Sequence, residues 1–260
     1  MGKLKNLAMV KSTSADSFAY LPPDSAFDAM RILVKPTLGE GYTAPAIVSM
    51  SVLGAVLRGL RRASPGGRIV IMDSVRTDGD PAQLFEEVGV TDLLDAEMRV
   101  TDTDNLIVKT YSNRLDPPCH FASLRASEYI SDYDCVISLS AFKRTLVDSA
   151  PRIAGSVANL RGFFPRAILQ QFESVPYEDV LTDVYFTIGQ HVDGAVIDLS
   201  AKYASDDARL DRGDVGVPVG KVVWGDDLLA VDEVACQLAD EPVPSYLTQL
   251  RDLRKQLAGA

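Results

Sequence analysis

The chain has 260 residues and a formal net charge of −10 at neutral pH, with 47 % hydrophobic and 24 % charged residues. A chain of this length buries a core that needs no staples. The acidic balance argues against nucleic acid and anionic membranes as partners, since both attract basic surfaces, and no apolar run approaches the roughly 20 residues that span a bilayer. The three cysteines, Cys119, Cys135 and Cys236, are far apart and form no C-x-x-C pair, so neither a zinc ribbon nor a cysteine-ligated iron–sulfur cluster is expected. The opening residues MGKLKNLAMVKSTSADSF lack the sustained apolar stretch of a secretory signal, and the expected setting is cytoplasmic.

Strand and helix signals alternate along the chain. MRILVK (30–35) is an apolar run of buried-strand type, closed by Pro36 and a turn containing Gly39 and Gly41. Apolar residues at helical spacing follow over 46–62, with Thr43 placed as N-cap and the breaker Ser64-Pro65-Gly66-Gly67 at the end. RIVIMD (68–73) is a second buried strand, and 81–88 a helix with proline in its first turn. Short, partly alternating runs at 98–100, 106–108 and 121–124 predict a small antiparallel excursion over 97–126. The run 135–139 in YDCVISLSAFKR returns to the core, with Lys143 and Arg144 expected just past the strand end. A helix is predicted over 178–191, a buried strand at 194–200, a charged loop at 206–216, a strand in VPVGKVVW, and closing helices at 228–238 and 246–257. The alternation predicts one α/β domain: a mixed, mainly parallel sheet flanked by helices, with the antiparallel excursion appended.

In open α/β sheets, ligands bind outside the carboxyl ends of the strands. Four apolar runs end there in polar residues: Lys35, Asp73, Ser140 followed by Lys143, and Asp198. Any strand leaving a core meets polar loop residues, so one such residue means little, but four invite a shared cleft. ANLRGFFPR adds Asn159, Arg161 and Arg166 around Gly162, and an arginine fork pairs bidentately with carboxylate or phosphate. The chain lacks G-x-x-x-x-G-K-[ST], G-x-G-x-x-G, G-x-S-x-G and H-E-x-x-H. Its two histidines, His120 and His191, read as structural, so acid–base chemistry falls to Asp, Glu, Lys or Tyr. In GDDLLAVDEVACQLAD, Asp226 or Asp227 suits a helix N-cap, and Asp232 lies one to two turns into the helix.

Several of these segments, in order, resemble the domain-of-unknown-function 362 family. VKPTLGEGYTAPAIV is similar to its opening V-K-P-N, Gly-rich turn and T-x-P helix start, and RIVIMDS with FEEVGV to its second strand and F-E-E-T-G helix. YDCVISLSAFKRT resembles D-V-V-I-N-L-P-K-x-K-T-H, GSVANLRGFFPR resembles G-x-x-x-x-L-K-N-L-F-G, and AVIDLS with VVWGDDLLAVDEVACQL resembles the closing V-D-G-I and G-x-D-P-V-A-V-D-x-V-A-x-x-L. The resemblance runs from about residue 30 to 240. It implies an α/β fold and cytoplasmic bacterial or archaeal enzymes, many with an appended ferredoxin-like segment that this sequence does not show. Lys35, Asp73, Lys143, Asp198 and Asp232 match the family pattern, while the histidine of P-K-x-K-T-H is missing after Arg144-Thr145.

The expectation is thus an enzyme for a small carboxylate- or phosphate-bearing metabolite, in bacterial specialised metabolism, working by non-redox isomerisation, cyclisation or elimination. Asp73, Lys143 and Asp198 are the catalytic candidates, and Lys35, Thr43, Arg144, Asn159 and Arg161 the substrate-binding ones. Two alternatives stand beside it: a non-catalytic ligand- or metal-binding accessory protein, and a divalent-metal enzyme using Asp73, Asp198 and Asp232 as hard oxygen ligands. No cofactor is named by a motif, and a homo-oligomer is compatible with the sequence.

Overall fold

The computed structural model describes residues 10–39, 43–73, 81–147, 150–205 and 216–259. In chain order these contain β1 (Lys11–Ser14), β2 (Arg31–Pro36), α1 (Met50–Ala63), β3 (Arg68–Asp73), α2 (Pro81–Glu87), β4 (Met98–Asp102), β5 (Val108–Ser112) and β6 (Ser123–Ser127). There follow α3 (Tyr129–Asp132), β7 (Cys135–Val147), β8 (Ala150–Ala154), α4 (Ser156–Asn159), α5 (Arg166–Phe172), α6 (Tyr177–Ile188), β9 (Gly194–Ala204), β10 (Val217–Gly225), α7 (Leu228–Leu238) and α8 (Ser245–Gly259).

The apolar runs become the centre of an eight-stranded sheet in the order β1-β10-β9-β7-β2-β3-β4, with β8 paired to β7 off that path. The strands β9, β7, β2, β3 and β4 run parallel, while β10 is antiparallel to β9 and β1 antiparallel to β10. Alternate residues of a strand face opposite sides. Leu33, Val70, Val136 and Ile197 therefore pack beneath the helical layer that includes Val184 of α6 and Val231 of α7. Ile32, Val34, Ile71, Ile137 and Val196 pack against Val52, Val56 and Leu60 of α1 and Phe85 of α2. The result is the helix–sheet–helix layering expected when a mainly parallel sheet must be covered on both faces.

Three expectations change in detail. The run at 98–100 belongs to β4, the parallel edge strand of the main sheet, so the antiparallel excursion reduces to the β5–β6 ribbon. That ribbon is tied down by buried Asp183 of α6, whose carboxylate accepts from Asn113 Nδ2 at 2.7 Å and from the amides of Cys119, His120 and Phe121 at 3.0, 2.7 and 2.8 Å. The strand begun at Cys135 does not stop at Leu139: it passes an irregularity between Ala141 and Lys143 and continues to Val147, because β8 folds back to pair with its second half. The first long helix begins at Met50 with Ser49 as N-cap, and Thr43 is an exposed residue whose carbonyl accepts from the Ala46 amide. The packed coil between them satisfies its backbone outside the helix, with the Val48 amide donating to the Thr37 carbonyl. Gly41 and residues 206–215 of the expected loop lie outside the described residues. Among the described residues, no helix is long and apolar enough to cross a membrane.

Candidate functional site

The parallel strands end at a common rim, and two of the four polar strand ends meet there. Lys35, the penultimate residue of β2, and Asp73, the last of β3, are 2 % and 5 % exposed. Lys35 Nζ stands 2.5 Å from Asp73 Oδ1, donates to the Pro36 carbonyl at 2.6 Å and reaches Asn159 Oδ1 at 3.4 Å. Its three N–H groups are all engaged. Asp73 Oδ2 accepts from the Leu38 amide at 2.9 Å.

Asn159, which closes the single turn of α4, works as a clamp. Its Nδ2 donates to the Lys35 carbonyl at 2.9 Å and to Ser138 Oγ of β7 at 3.0 Å, while its Oδ1 also accepts from Thr37 Oγ1 at 3.0 Å. One side chain thus stitches the ends of β2 and β7 together. Gly162 lets the clamp approach: a Cβ there would fall 2.0 Å from Lys35 Cε and 2.4 Å from its Nζ. This glycine serves close contact rather than flexibility.

The other strand ends go elsewhere. Asp198 of β9 shares a side of the sheet with Val196, the side covered by α1, and is 5 % exposed. Its Oδ2 accepts from the Ser49 amide at 2.7 Å and hydroxyl at 2.6 Å, and its Oδ1 from the Ser200 amide at 3.0 Å and hydroxyl at 2.6 Å. Four donors fill its lone-pair positions, so it anchors the start of α1 to β9. A cavity of about 120 Å³ beside it is lined by Pro45, Ile47, Ser49 and Ser200. Lys143 is half-buried within β7, opposite Ala154 of β8 and Tyr203 of β9, rather than beyond a strand end. Arg144 Nε lies 4.0 Å from Glu241, which also takes Lys202 Nζ at 2.5 Å. The Arg161 guanidinium lies 5.6 Å from the centre of the Tyr177 ring, which carries Arg152 at 4.3 Å.

The three aspartates considered as metal ligands do not gather. Asp73 is held by Lys35, Asp198 by Ser49 and Ser200, and Asp232 by the first turn of α4, where it accepts from the Ser156 and Val157 amides. Among the described residues, no group of three His, Cys, Asp or Glu side chains is placed to hold a metal ion. Asp232 is buried rather than solvated. Burial pushes its pKa up to about 6, against the lowering pull of its Ser156 and Val157 hydrogen bonds. Burial likewise pushes the thiols of Cys135 and Cys236 up to about 12 and that of Cys119 to about 11, which leaves all three as poor nucleophiles at neutral pH. The ring of His191 packs edge-on to Tyr111, and His120 Nε2 contacts Asp179 at 3.0 Å.

Sequence reasoning missed part of this rim. Asp102 ends β4 beside Asp73, 8 % exposed, and Thr103 donates to the Gly162 carbonyl at 3.1 Å. The signal was present, since MRVTD ends in Asp as RIVIMD does. Ser138 reads in the sequence only as an interruption of a strand, and Ser140 as one of the four polar strand ends. Ser140 Oγ is buried without a hydrogen-bond partner among the described residues.

The fold has a counterpart of known structure. The lactate racemase apoprotein from Thermoanaerobacterium thermosaccharolyticum superposes with a TM-score of 0.55 at 12 % identity, covering 82 % of this chain and 50 % of that one. The chain therefore spans half the length of that protein, and at this identity the likeness is one of fold. No curated protein sequence matches the chain. The sequence model described as "Domain of unknown function (DUF362)" matches residues 32–237, and the chain belongs to that family.

Proposed function

We propose that this protein is an enzyme that binds a small carboxylate- or phosphate-bearing metabolite at the carboxyl rim of its sheet and rearranges it without net redox change. Isomerisation, cyclisation and elimination all fit, because each has a route in which a base takes a proton from carbon while an anion is held as charge develops. The observation that carries this reading is the Lys35–Asp73 pair, 2.5 Å apart and withdrawn from water where open α/β sheets bind ligands. A buried ion pair is a weak stabiliser compared with an apolar pair of the same volume, so stability alone gives little reason for one at this rim.

In this reading Asp73 is the base, Lys35 the buried cation that orients it, and Lys143 the cation that holds the substrate anion. Asp198 supports the rim, since its acceptor positions are already filled. The fold likeness is in keeping with the reading: lactate is a small carboxylate, and racemisation leaves oxidation state unchanged. The setting proposed with it is bacterial, cytoplasmic and biosynthetic.

The test is a titration of the purified protein with a panel of small carboxylates and phosphate esters, followed by a search for turnover of whatever binds. Lys143→Ala should weaken binding at least tenfold, about 1.4 kcal/mol. Asp73→Asn should keep binding and abolish turnover. Turnover that survives Asp73→Asn would remove Asp73 from its role, and a ligand bound but never converted would favour the accessory-protein reading.

A further inference from the structure

A run of hydrogen bonds crosses the core from α7 to the Lys35–Asp73 pair, and its far end is a carboxyl group to which the proposed chemistry gives no part. Asp232 is 2 % exposed. Its Oδ1 accepts from the Ser156 amide at 2.7 Å and meets the Ser156 hydroxyl at 2.5 Å, and its Oδ2 accepts from the Val157 amide at 3.1 Å. These residues open α4. The Ser156 carbonyl accepts from Ser138 Oγ at 3.2 Å, and Ser138 Oγ accepts from Asn159 Nδ2 at 3.0 Å. The Asn159 amide closes the turn on the Gly155 carbonyl at 3.1 Å, and its Oδ1 faces Lys35 Nζ.

There is no slack at the Asp232 end. A Cβ on Gly155 would stand 2.8 Å from Asp232 Oδ1, so the carboxyl lies directly against the turn it holds. A single helical turn has too few internal hydrogen bonds to hold its own shape. It must be fixed from outside, and an apolar residue at 232 would do so by packing, without desolvating a carboxyl. What a satisfied buried network adds is one defined arrangement. The side chain that benefits is Asn159, which sits at the other end of the turn and touches Lys35.

We propose that Asp232 is the positioning residue of the Lys35–Asp73 site: by fixing the first turn of α4 it sets where Asn159 stands, and through Asn159 the direction in which Lys35 Nζ is held. The inference rests on the reading of Lys35 and Asp73 as the reacting pair. Its structural link can be tested without a substrate.

The readout is the nitrogen-15 NMR signal of the Lys35 ammonium group and of the Asn159 side-chain amide in the full chain. In Asp232→Asn and Ser138→Ala, both signals should shift, more in the first variant. Leu250→Ala, a core truncation on α8 outside the network, should lower stability and leave both signals in place. If Asp232→Asn does not fold, Ser138→Ala and Ser156→Ala decide on the same readout. Unmoved signals in the folded network variants, or equal movement in Leu250→Ala, would overturn the proposal. Failure of the functional reading would show separately, as a Lys35 signal in the wild-type chain that no carboxylate or phosphate ester displaces.

Discussion

Lys35 Nζ and Asp73 Oδ1 are 2.5 Å apart, with only 3 % and 7 % of the two side chains exposed. Removing one partner of such a pair strands the other charge in the core. Lys35→Met is expected to cost about 3–5 kcal/mol in urea unfolding, and Lys35→Met with Asp73→Leu to recover most of that loss. A Lys35→Met cost below about 1 kcal/mol, the size of an exposed pair, would mean that water reaches the pair in solution.

Gly162→Ala pushes a methyl group into the space of Lys35 Cε, 2.0 Å away, while the lysine tip is held by Asp73 and the Pro36 carbonyl. The expected penalty is that of overpacking, about 1–3 kcal/mol, together with weaker carboxylate binding. Gly66→Ala is the control, because a Cβ there meets nothing within 4 Å. It should change stability by less than about 0.5 kcal/mol.

Asp232 makes a pH-dependent contribution to stability. Its folded pKa of about 6 lies above the ordinary aspartate value of 3.8, so the folded chain holds this proton more tightly than the unfolded one. The contribution is complete below the unfolded value, declines as pH rises through the folded value, and is gone above it. A shift of this size corresponds to about 3 kcal/mol. The groups whose charges reach Asp232 or feel it are Tyr177 on α6, Tyr246 on α8, Cys236 on α7 and Asp227, the N-cap just before α7. Burial raises the pKa of both tyrosines and of the thiol, so none of the three gains charge in this window. Unfolding free energies of wild type and Asp232→Asn, measured from about pH 4 to 7.5, should differ by an amount that falls steadily with pH. A constant difference would show that Asp232 is ionised throughout.

Two serines two residues apart on β7 should respond in opposite ways. Ser138 donates to the Ser156 carbonyl and accepts from Asn159, so Ser138→Ala removes both bonds and is expected to cost about 1–3 kcal/mol. Ser140 Oγ is buried with no partner among the described residues, and Ser140→Ala should be neutral or stabilising by up to about 1 kcal/mol. Thermal melts of the two variants side by side are sufficient. A clear loss in Ser140→Ala would reveal a partner for that hydroxyl in solution.

The central strands were legible because strands buried on both faces are written as unbroken apolar runs, as in MRILVK and RIVIMD. The second half of β7 was not, since SAFKRTLV has neither a run nor a period and owes its conformation to pairing with β8 and β9. Thr43 looked like a cap because it precedes Pro45 and an apolar stretch, yet that stretch opens as packed coil, and Ser49 wins through its bond to the Val52 amide. Lys35 and Asp73 were visible as polar strand ends. That Asp198 turns to the side of α1 follows from its parity with Val196, which no composition argument supplies. The task of Gly162 could not be read at all without knowing what approaches it.

The pairing of β1 with β10 joins Lys11 to Trp224 and Ser14 to Lys221. The first strand among the described residues is therefore among the last able to find its partner. During synthesis it must wait, with its ladder groups unpaired, until more than two hundred further residues have been made and β10 has docked on β9. Contacts of such long sequence separation slow folding, and waiting strand edges recruit other chains. A lysine at its first position and two serines and a threonine after it keep that edge polar, a composition that discourages premature pairing during the delay.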